Sequence, residues 1–255
     1  MKISEKDVAS LLRTLSRTAN EPHFTSAIIP AAGCGSRMGN TGGKTKQMML
    51  LGETPVVVRT LQAFQDSPLV NEIIVVARAD EARQYEIFKK DFELTKVTKI
   101  VIGGDTRQES VLKGCEAIDD RSDFVAIHEG ARCLITVDEI GRVINEAFRR
   151  GAATAAIKAT DTVKRANSKG YIDETLPRQE IWLAQTPQVF KTEVYRCAAY
   201  VCREEGFEAT DDNSLAEHVG FEVKLVECSS ENIKITTETD MVIAEAILAR
   251  RPMLL

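Results

Sequence analysis

The chain has few of the features that mark membrane, zinc-binding and nucleic-acid-binding proteins. No apolar run approaches the roughly 20 residues that a membrane-spanning helix needs. Its three histidines are scattered and no two cysteines form a C-x-x-C pair, which argues against a zinc site. The net charge of -5 argues against a protein that coats nucleic acid. We therefore expect partners that are neither nucleic acids nor membranes.

The cysteines are isolated from one another along the chain. They are Cys34, Cys115, Cys133, Cys197, Cys202 and Cys228. Unpaired thiols of this kind are typical of the reducing cytoplasm. The first residues carry charges throughout and lack the apolar core of a secretion signal. Both observations lead us to expect a cytoplasmic protein.

From residue 25 onwards, short apolar runs alternate with amphipathic stretches. Predicted strands cover 26–29, 72–76, 97–102, 124–128, 152–157 and 222–226, and 232–236 is a short strand or an extended segment. Predicted helices cover 55–65, 80–90, 108–118, 137–149, 192–205, 211–218 and 237–250. This alternation predicts the α/β class, with a Rossmann-like, mostly parallel sheet and helices on both faces, in a single domain over 25–255. Ligands of such sheets bind beyond the carboxyl ends of the strands, so the loops at Pro30, Gly103, Glu129 and Thr160 should share one rim.

Two segments fall outside this pattern. Residues 1–24 predict an amphipathic helical extension, because apolar residues recur there at helical spacing. Residues 161–183 predict a protruding β-hairpin with its turn at 167–170 and little apolar content to face a core. Since a hairpin that cannot bury itself usually packs on something else, we expect a dimerisation arm. A loose excursion from the domain is the alternative.

The stretch over residues 25–47 carries the strongest chemical signal. An apolar strand should end at Pro30, and small residues follow whose backbone N–H groups can surround a phosphate. Arg37, Lys44 and Lys46 add positive charge to this loop. The glycine spacing matches neither the dinucleotide fingerprint nor the P-loop. We interpret the stretch as a triphosphate cradle, and a mobile surface loop is the alternative.

Further motifs follow this loop in a characteristic order. The full set is Pro30-Ala31-Ala32-Gly33-x-Gly35-x-Arg37-Met38, Lys46-Gln47, Gly103-Gly104-Asp105-x-Arg107-x-x-Ser110-Val111, His128-x-Gly130-Ala131-Arg132, Asp161-Thr162-Val163-Lys164, Arg178, Trp182-x-Ala184-Gln185-Thr186-Pro187-Gln188-x-Phe190, Asp211-Asp212 and Asn232-Ile233-Lys234. Each motif is weak alone. Together, in this order and spacing, they make residues 25–250 resemble the 2-C-methyl-D-erythritol 4-phosphate cytidylyltransferase family.

The resemblance implies an activity in non-mevalonate isoprenoid biosynthesis. Members of that family transfer CMP from CTP to 2-C-methyl-D-erythritol 4-phosphate, giving 4-diphosphocytidyl-2-C-methylerythritol and pyrophosphate, with Mg²⁺ as cofactor. The acceptor phosphate attacks the α-phosphorus in line, without a covalent enzyme intermediate. Such chemistry requires positioning and neutralisation of negative charge more than a nucleophilic side chain. The implied partners are CTP, a sugar-alcohol phosphate and a second subunit, in a homodimer that exchanges arms.

The resemblance also assigns roles to residues of this chain. The groups that stabilise the pentacoordinate phosphorus and the leaving pyrophosphate are Arg37, Lys46 and Lys234. The nucleotide-binding residues are Pro30, Ala31, Ala32, Gly33, Gly104, Asp105 and Ser110. The acceptor-binding residues are Arg132, Thr162, Arg178 and Thr186, of which Thr162 and Arg178 would serve the neighbouring subunit's site. The candidate magnesium ligand is Glu129.

This chain departs from the family pattern near the predicted site. Glu129 stands where the family has aspartate, and its extra methylene means that it binds Mg²⁺ either with a local shift or through a water molecule. Cys133 replaces a proline in the same motif. The connection from Arg37 to Lys46 is longer than usual, so Lys44 is the substitute for Lys46 if the register differs.

Two other functions stay open on the sequence alone. Ribitol-5-phosphate cytidylyltransferases share the fold, the small-residue loop and the Gln-Thr-Pro-Gln segment. Arg178 with Trp182, and the Gly-Ala-Arg segment ending at Arg132, favour the methylerythritol enzyme over that relative. A nucleotide-binding regulator without turnover is the second alternative, and the change at Glu129 is the feature that supports it.

Several candidates also have purely structural explanations. Asp105 and Ser110 fit helix caps for the helix predicted from residue 108. Asp211 and Asp212 are interpreted as caps of their own helix. His128, at the end of a strand, is interpreted as a buried histidine with satisfied hydrogen bonds and not as a base.

Overall fold

The computed structural model describes residues 22–33 and 45–251. The strands are β1 (Thr25–Pro30), β2 (Leu50–Leu51), β3 (Thr54–Pro55), β4 (Glu72–Ala77), β5 (Val97–Ile102), β6 (Phe124–Ile127), β7 (Ala152–Lys158), β8 (Lys164–Ala166), β9 (Ile172–Thr175), β10 (Trp182–Lys191) and β11 (Lys224–Glu227). The helices are α1 (Val56–Asp66), α2 (Ala82–Asp91), α3 (Arg107–Ala117), α4 (Val137–Arg150), α5 (Thr192–Glu204), α6 (Asp212–His218) and α7 (Glu238–Arg250). Among these helices, none combines the length and apolar character that crossing a membrane requires.

Seven strands form the central sheet, in the order β11-β7-β10-β6-β1-β4-β5. Neighbouring strands run parallel, except that β10 is antiparallel to both β6 and β7. The predicted α/β architecture with a mostly parallel sheet is therefore confirmed. Residues 232–236 form no strand and have no regular secondary structure. Residues 22–24 are not helical, and the rest of the predicted N-terminal extension lies outside the described residues.

Strand β10 was not predicted from the sequence. Gln185, Thr186 and Gln188 interrupt its apolar pattern, and Pro187 has no N–H group to donate to a neighbouring strand. The register with β7 shifts between Ala184 and Gln188, which accommodates the proline. These three polar side chains are nevertheless buried, because they make hydrogen bonds within the domain.

Apolar side chains cover both faces of the sheet. Ile28 and Ile29 are adjacent in β1 and point to opposite faces, and both are completely buried. One face packs on α1, α2 and α4, and the other packs on α3, α5 and α6. Helix α3 approaches β1 closely at Gly114, where an added Cβ would lie 2.6 Å from Cγ2 of Ile28. This close packing sets the start of α3 beside the end of β1.

The carboxyl ends of three parallel strands meet at one edge of the sheet. The N–H of Ala31, just after β1, donates to the carbonyl of Val76 in β4 (2.7 Å). Beyond β6, the N–H of Gly130 donates to the carbonyl of Pro30 (3.2 Å). Beyond β5, the N–H of Gly103 donates to the carbonyl of Ala77 (2.9 Å). These bonds bring the loops after β1, β5 and β6 together, as the strand pattern predicts.

The predicted hairpin is present as the pair β8 and β9. Every residue of both strands is exposed, including Ile172 at 66% of its full area, and the preceding Tyr171 is exposed at 71%. Gly170 adopts a positive φ of 82°, which glycine tolerates in a tight turn. The hairpin therefore projects from the domain without a core of its own.

Candidate functional site

A cleft of about 290 Å³ opens at the carboxyl edge of the sheet. Nine of the residues predicted for the site line it: Pro30, Ala32, Gly33, Lys46, Gly104, Asp105, Ser110, Glu129 and Lys234. Six further residues line it without having been predicted: Gln47, Thr106, Arg107, Gly130, Ala131 and Thr236. The structure thus gathers the loops after β1, β5 and β6 and the segment before α7 around one space. Thr160, the fourth loop predicted at this rim, is not among the lining residues.

The small residues after β1 and β5 form one wall of this cleft. Ser110 Oγ accepts a hydrogen bond from the N–H of Gly104 (3.0 Å). An added Cβ at Gly103 would lie 2.8 Å from both Ala32 Cβ and Ser110 Oγ, so only glycine fits between these two loops. Ala31 is buried beneath the wall.

Helix α3 starts at this wall, and its cap is Thr106. Thr106 accepts from the N–H of Glu109, and the Glu109 carboxylate accepts from the backbone of Asp105 and Thr106. Asp105 and Ser110 are therefore not the caps of this helix, and the structural explanation offered for them is wrong. Both side chains line the cleft instead.

The carboxylate of Glu129 bridges two cations at the centre of the cleft. Its Oε1 accepts a short hydrogen bond from Lys234 Nζ, and its Oε2 pairs with Arg132 Nε at 2.9 Å. Burial by itself raises the pKa of Glu129, but the charges of Lys234 and Arg132 outweigh it and hold the pKa at about 2. Glu129 is therefore ionised at neutral pH, with both oxygens engaged.

The segment before α7 fixes Lys234 opposite this carboxylate. The N–H of Ile235 donates to the carbonyl of Ala131 (2.9 Å), and Arg132 Nη1 donates to the carbonyl of Asn232 (2.9 Å). The fully buried Asn232 side chain donates to Gln185 Oε1 and to the carbonyl of Thr186, both at 3.0 Å. The Lys234 side chain is held by this frame and remains 36% exposed towards solvent.

Arg107 is a further cation of the cleft that the sequence analysis left without a role. Its Nη2 pairs with Asp212 Oδ2 at 2.6 Å, and the Asp212 side chain is almost completely buried. Tyr195 donates its hydroxyl to Asp212 Oδ1 (2.9 Å), and Gln188 Oε1 accepts from the N–H of Asp212 (2.9 Å). Burial alone would lower the pKa of Arg107, but the adjacent Asp212 raises it, so the guanidinium stays charged.

The interpretation of the two aspartates as helix caps is half right. Asp211 caps α6, because its side chain accepts from the N–H of Ser214. Asp212 does not cap the helix but pairs with Arg107. The capping role of the adjacent Asp211 gives no indication of this pair. The signal that could have identified this pair is the quoted Gly-Gly-Asp-x-Arg motif itself, which places an arginine in the first turn of a helix at the rim.

Lys46 reaches the cleft from a short 3-10 helix over Lys46–Met48. Lys46 and Gln47 are both buried there, although each lines the cleft. Within the described part of the chain, Gln47 Oε1 has no hydrogen-bond partner. Arg37 and the substitute residue Lys44 lie outside the described residues.

The four residues predicted to bind the acceptor are not brought together in one chain. Arg132 does not itself line the cleft, but its side chain pairs with Glu129, which does. Thr186 is buried beneath it, and its hydroxyl accepts from the N–H of Glu129 (3.1 Å). Thr162 and Arg178 are exposed at the hairpin, where Arg178 Nη1 donates to the carbonyl of Thr160 (2.7 Å).

Two carboxylates at the cleft, those of Glu129 and Asp105, could ligate a magnesium ion. No group of three or more histidine, cysteine, aspartate or glutamate side chains is gathered for a metal within residues 22–33 and 45–251. Magnesium at nucleotide sites usually takes one or two carboxylates and completes its shell with phosphates and water. Glu129 and the nearby Asp105 fit that pattern. Glu129 would first have to exchange at least one of its cationic partners.

His128 is buried with both ring nitrogens hydrogen-bonded. Nε2 lies 3.1 Å from the carbonyl of Arg132, and Nδ1 lies 3.1 Å from Thr186 Oγ1. Burial lowers the pKa of His128 to about 4, so the ring is neutral at pH 7. The interpretation of His128 as a structural histidine is therefore confirmed.

Comparisons with known proteins agree on one family. The sequence profile of IspD: 2-C-methyl-D-erythritol 4-phosphate cytidylyltransferase matches residues 25–250. The chain is 42% identical over 225 residues to the 2-C-methyl-D-erythritol 4-phosphate cytidylyltransferase of Syntrophus aciditrophicus, across 88% of this chain and 95% of that protein. It is 44% identical over 226 residues to the protein of the same name from Desulforamulus reducens, across 88% of this chain and 96% of that protein.

Solved structures give the same result. The crystal structure of 4-diphosphocytidyl-2C-methyl-D-erythritol synthase from Anaerococcus prevotii aligns with a TM-score of 0.80 and 30% identity. That alignment covers 90% of this chain and all of the other. The 2-C-methyl-D-erythritol 4-phosphate cytidylyltransferase from Thermus thermophilus aligns with a TM-score of 0.73 and 31% identity, across 89% of this chain and 99% of the other.

Proposed function

Because this chain belongs to the 2-C-methyl-D-erythritol 4-phosphate cytidylyltransferase family, we propose that it transfers CMP from CTP to 2-C-methyl-D-erythritol 4-phosphate and releases pyrophosphate. The reaction is a step of non-mevalonate isoprenoid biosynthesis. The observation that best supports the proposal is the convergence of Lys46, Lys234 and Arg107 on a cleft walled by small residues. A cleft of that composition suits a polyanion joined to a flat base.

The chemical step is a displacement at the α-phosphorus of CTP. An oxygen of the acceptor phosphate forms the new bond to phosphorus as the bond to the bridging oxygen of pyrophosphate breaks. Lys46, Lys234 and Arg37 carry the positive charge that neutralises the equatorial oxygens and the leaving group. The protein supplies position and charge, and no side chain needs to act as nucleophile.

The loops after β1 and β5 hold the nucleoside. Ala32, Gly33 and Gly104 expose backbone groups at the wall of the cleft, and Ser110 stands beside them. Gly103 packs closely against Ala32 and Ser110, and this tight wall is where we place the selection of a single pyrimidine ring over a purine. Arg107, fixed by Asp212, adds a positive charge on the same side.

Glu129 acts first as the counter-ion of the free site. Its carboxylate neutralises Lys234 and Arg132 before a substrate arrives, and substrate phosphates compete for the same two cations. A magnesium ion bound by the released carboxylate and the phosphates would neutralise further charge on the triphosphate. Arg132 is then free to pair with the acceptor phosphate, which accounts for its predicted role.

The exposed hairpin supports a homodimer. Tyr171 and Ile172 are apolar side chains in solvent, and no core of the same chain covers them within the described residues. Packing on a second subunit would bury them and would carry Thr162 and Arg178 to the neighbouring cleft. We place the enzyme in the cytoplasm, where the five free cysteines of the described residues would remain reduced.

The proposed reaction is tested by measuring pyrophosphate release from CTP in the presence of Mg²⁺. Release should require 2-C-methyl-D-erythritol 4-phosphate, and ribitol 5-phosphate serves as the matched alternative acceptor. Faster turnover with the ribitol compound would assign the chain to the related activity. No release with either acceptor, together with retained CTP binding, would identify a regulator without turnover.

The Lys234→Ala variant tests the assignment of charge within the site. We expect kcat to fall by on the order of 10²–10³, as for the loss of one group that stabilises a developing anion. Lys224→Ala removes an exposed lysine of the edge strand β11 and is the matched control, with wild-type kcat expected. Near-normal turnover in Lys234→Ala would contradict the assigned role.

A further inference from the structure

His128 lies outside the set of residues that line the cleft. Its side chain is completely inaccessible to solvent, and its ring packs on Phe64 with centroids 5.0 Å apart. The proposed displacement uses neither ring nitrogen. Yet the two hydrogen bonds of the ring go to Arg132, the last residue of the turn after β6, and to Thr186, which bonds to the first residue of that turn.

The partners of the ring determine where its proton lies. The carbonyl of Arg132 can only accept, so Nε2 carries the hydrogen and donates it. Nδ1 of the neutral ring is then an acceptor, and the hydroxyl of Thr186 must donate to it. The oxygen of that hydroxyl in turn accepts from the N–H of Glu129 (3.1 Å). Each group in this chain of hydrogen bonds has one consistent direction.

The chain of hydrogen bonds spans both ends of the turn over residues 129–132. At one end, Thr186 holds the backbone of Glu129, and at the other, the ring holds the carbonyl of Arg132. The turn is closed by a bond from the N–H of Arg132 to the carbonyl of Glu129 (2.9 Å). The side chains that leave these two residues form the carboxylate–guanidinium pair of the cleft.

We propose that His128 is a positioning residue for the transfer reaction, acting through the Thr186 hydroxyl and the Arg132 carbonyl to fix the spacing of Glu129 and Arg132. This inference rests on the proposed function, because it concerns the same site. It also assigns the Thr186 hydroxyl to the support of the turn, where its proton is already committed to His128. In this proposal Thr186 does not bind the acceptor directly, but helps to position Glu129 and Arg132, through which it affects acceptor binding.

The decisive comparison is between Thr186→Val and Thr186→Ser. Valine keeps the volume and removes the hydroxyl, whereas serine keeps the hydroxyl. We expect kcat of the valine variant to fall by a factor on the order of 10², because a small misplacement of catalytic groups has an effect of that size. The KM for CTP should stay near its wild-type value, because the nucleoside wall on β1 and α3 is untouched, and serine should restore most of kcat.

The control variant is Thr192→Val, which removes another buried threonine hydroxyl, at the start of α5 and 3.4 Å from Ser122 Oγ. It should leave kcat unchanged. A Thr186→Val enzyme with wild-type kcat, or a Thr186→Ser enzyme as slow as the valine variant, would overturn the proposal.

A measurement without turnover keeps this inference separate from the proposed function. In ¹⁵N-histidine NMR spectra of the wild type, His128 should show the neutral tautomer with its proton on Nε2. Loss of the hydroxyl in Thr186→Val should shift the Nδ1 resonance, since its hydrogen bond is removed. A proton on Nδ1 would refute the inference whatever the enzyme catalyses. An inactive wild type that shows the expected tautomer would refute the proposed function alone.

Discussion

Replacing Glu129 by glutamine removes the charge that bridges Lys234 and Arg132 while it keeps the length of the side chain. In the wild type the carboxylate is mostly buried, at 15% exposure, and both of its oxygens face cations. Burial raises the pKa of Glu129, but the two cations lower it further, to about 2. The stability of the folded protein must therefore depend on the ionisation of this group.

The pKa difference fixes both the size and the pH range of the effect. A folded-state pKa of about 2 against an ordinary value of 4.5 corresponds to about 3 kcal/mol of stability at neutral pH. Because the folded-state pKa is the lower one, this contribution is fully present above about pH 5 and is lost as the pH falls towards 2. At about pH 3 about 1 kcal/mol of this contribution remains, so about 2 kcal/mol has been lost.

Urea unfolding of the wild type and of Glu129→Gln between about pH 3 and pH 7 measures this contribution. The difference in unfolding free energy between the two proteins should shrink by about 2 kcal/mol over that range. Glu227→Gln removes a carboxylate from an exposed pair with Lys158 (3.0 Å) and should stay within about 1 kcal/mol of the wild type throughout. A Glu129→Gln difference that is the same at both ends of the range would refute the reasoning.

Two further predictions concern the ion pair between Arg107 and Asp212 and the hairpin that we propose as the dimerisation arm. Asp212→Asn should destabilise the fold by about 3 kcal/mol and raise the KM for CTP, because Arg107 loses its buried partner. Urea unfolding and steady-state kinetics measure the two effects, and Asp211→Asn, at the cap of α6, is the control for KM. An unchanged KM in Asp212→Asn would argue against a role for Arg107. The pair Tyr171→Ser and Ile172→Ser should shift the particle mass in light scattering from dimer towards monomer and lower kcat, whereas Val219→Ser, also exposed, should do neither; a monomeric wild type would contradict the arm exchange.

The strands of the sheet could be predicted where burial on both faces requires a continuous run of apolar residues. β1 and β4 are covered on both faces, so their residues form continuous apolar runs. β10 escaped prediction because its polar residues are satisfied by partners far away in the sequence. Gln188, for example, bonds to Asp211 and Asp212 across the domain, and no local pattern encodes such partners.

Part of the site was predictable because loops that follow parallel strands lie at the carboxyl edge of the sheet. Pro30, Gly104 and Ser110 follow this rule, since each lies at the end of a parallel strand, just beyond one, or in the first turn of the next helix. The rule does not reveal which side chains pair once they meet. The bridge from Glu129 to Lys234 joins residues 105 positions apart, and the fold must exist before that contact can be recognised.

The charges of the cleft indicate what the described residues need in order to hold CTP. Lys46, Arg107 and Lys234 at the cleft and Arg132 beside Glu129 supply four positive charges. Glu129 and Asp105 at the cleft and Asp212 beside Arg107 return three negative ones, so the net charge of these described groups is only +1. A triphosphate brings several negative charges, and placing it in a half-buried cleft without matching cations is costly. Arg37 and Lys44 lie outside the described residues, in the stretch of sequence between Gly33 and Thr45. In the role that we propose for Arg37, its charge and a divalent cation together offset the triphosphate, so CTP affinity should depend on Mg²⁺ more steeply in Arg37→Ala than in the wild type.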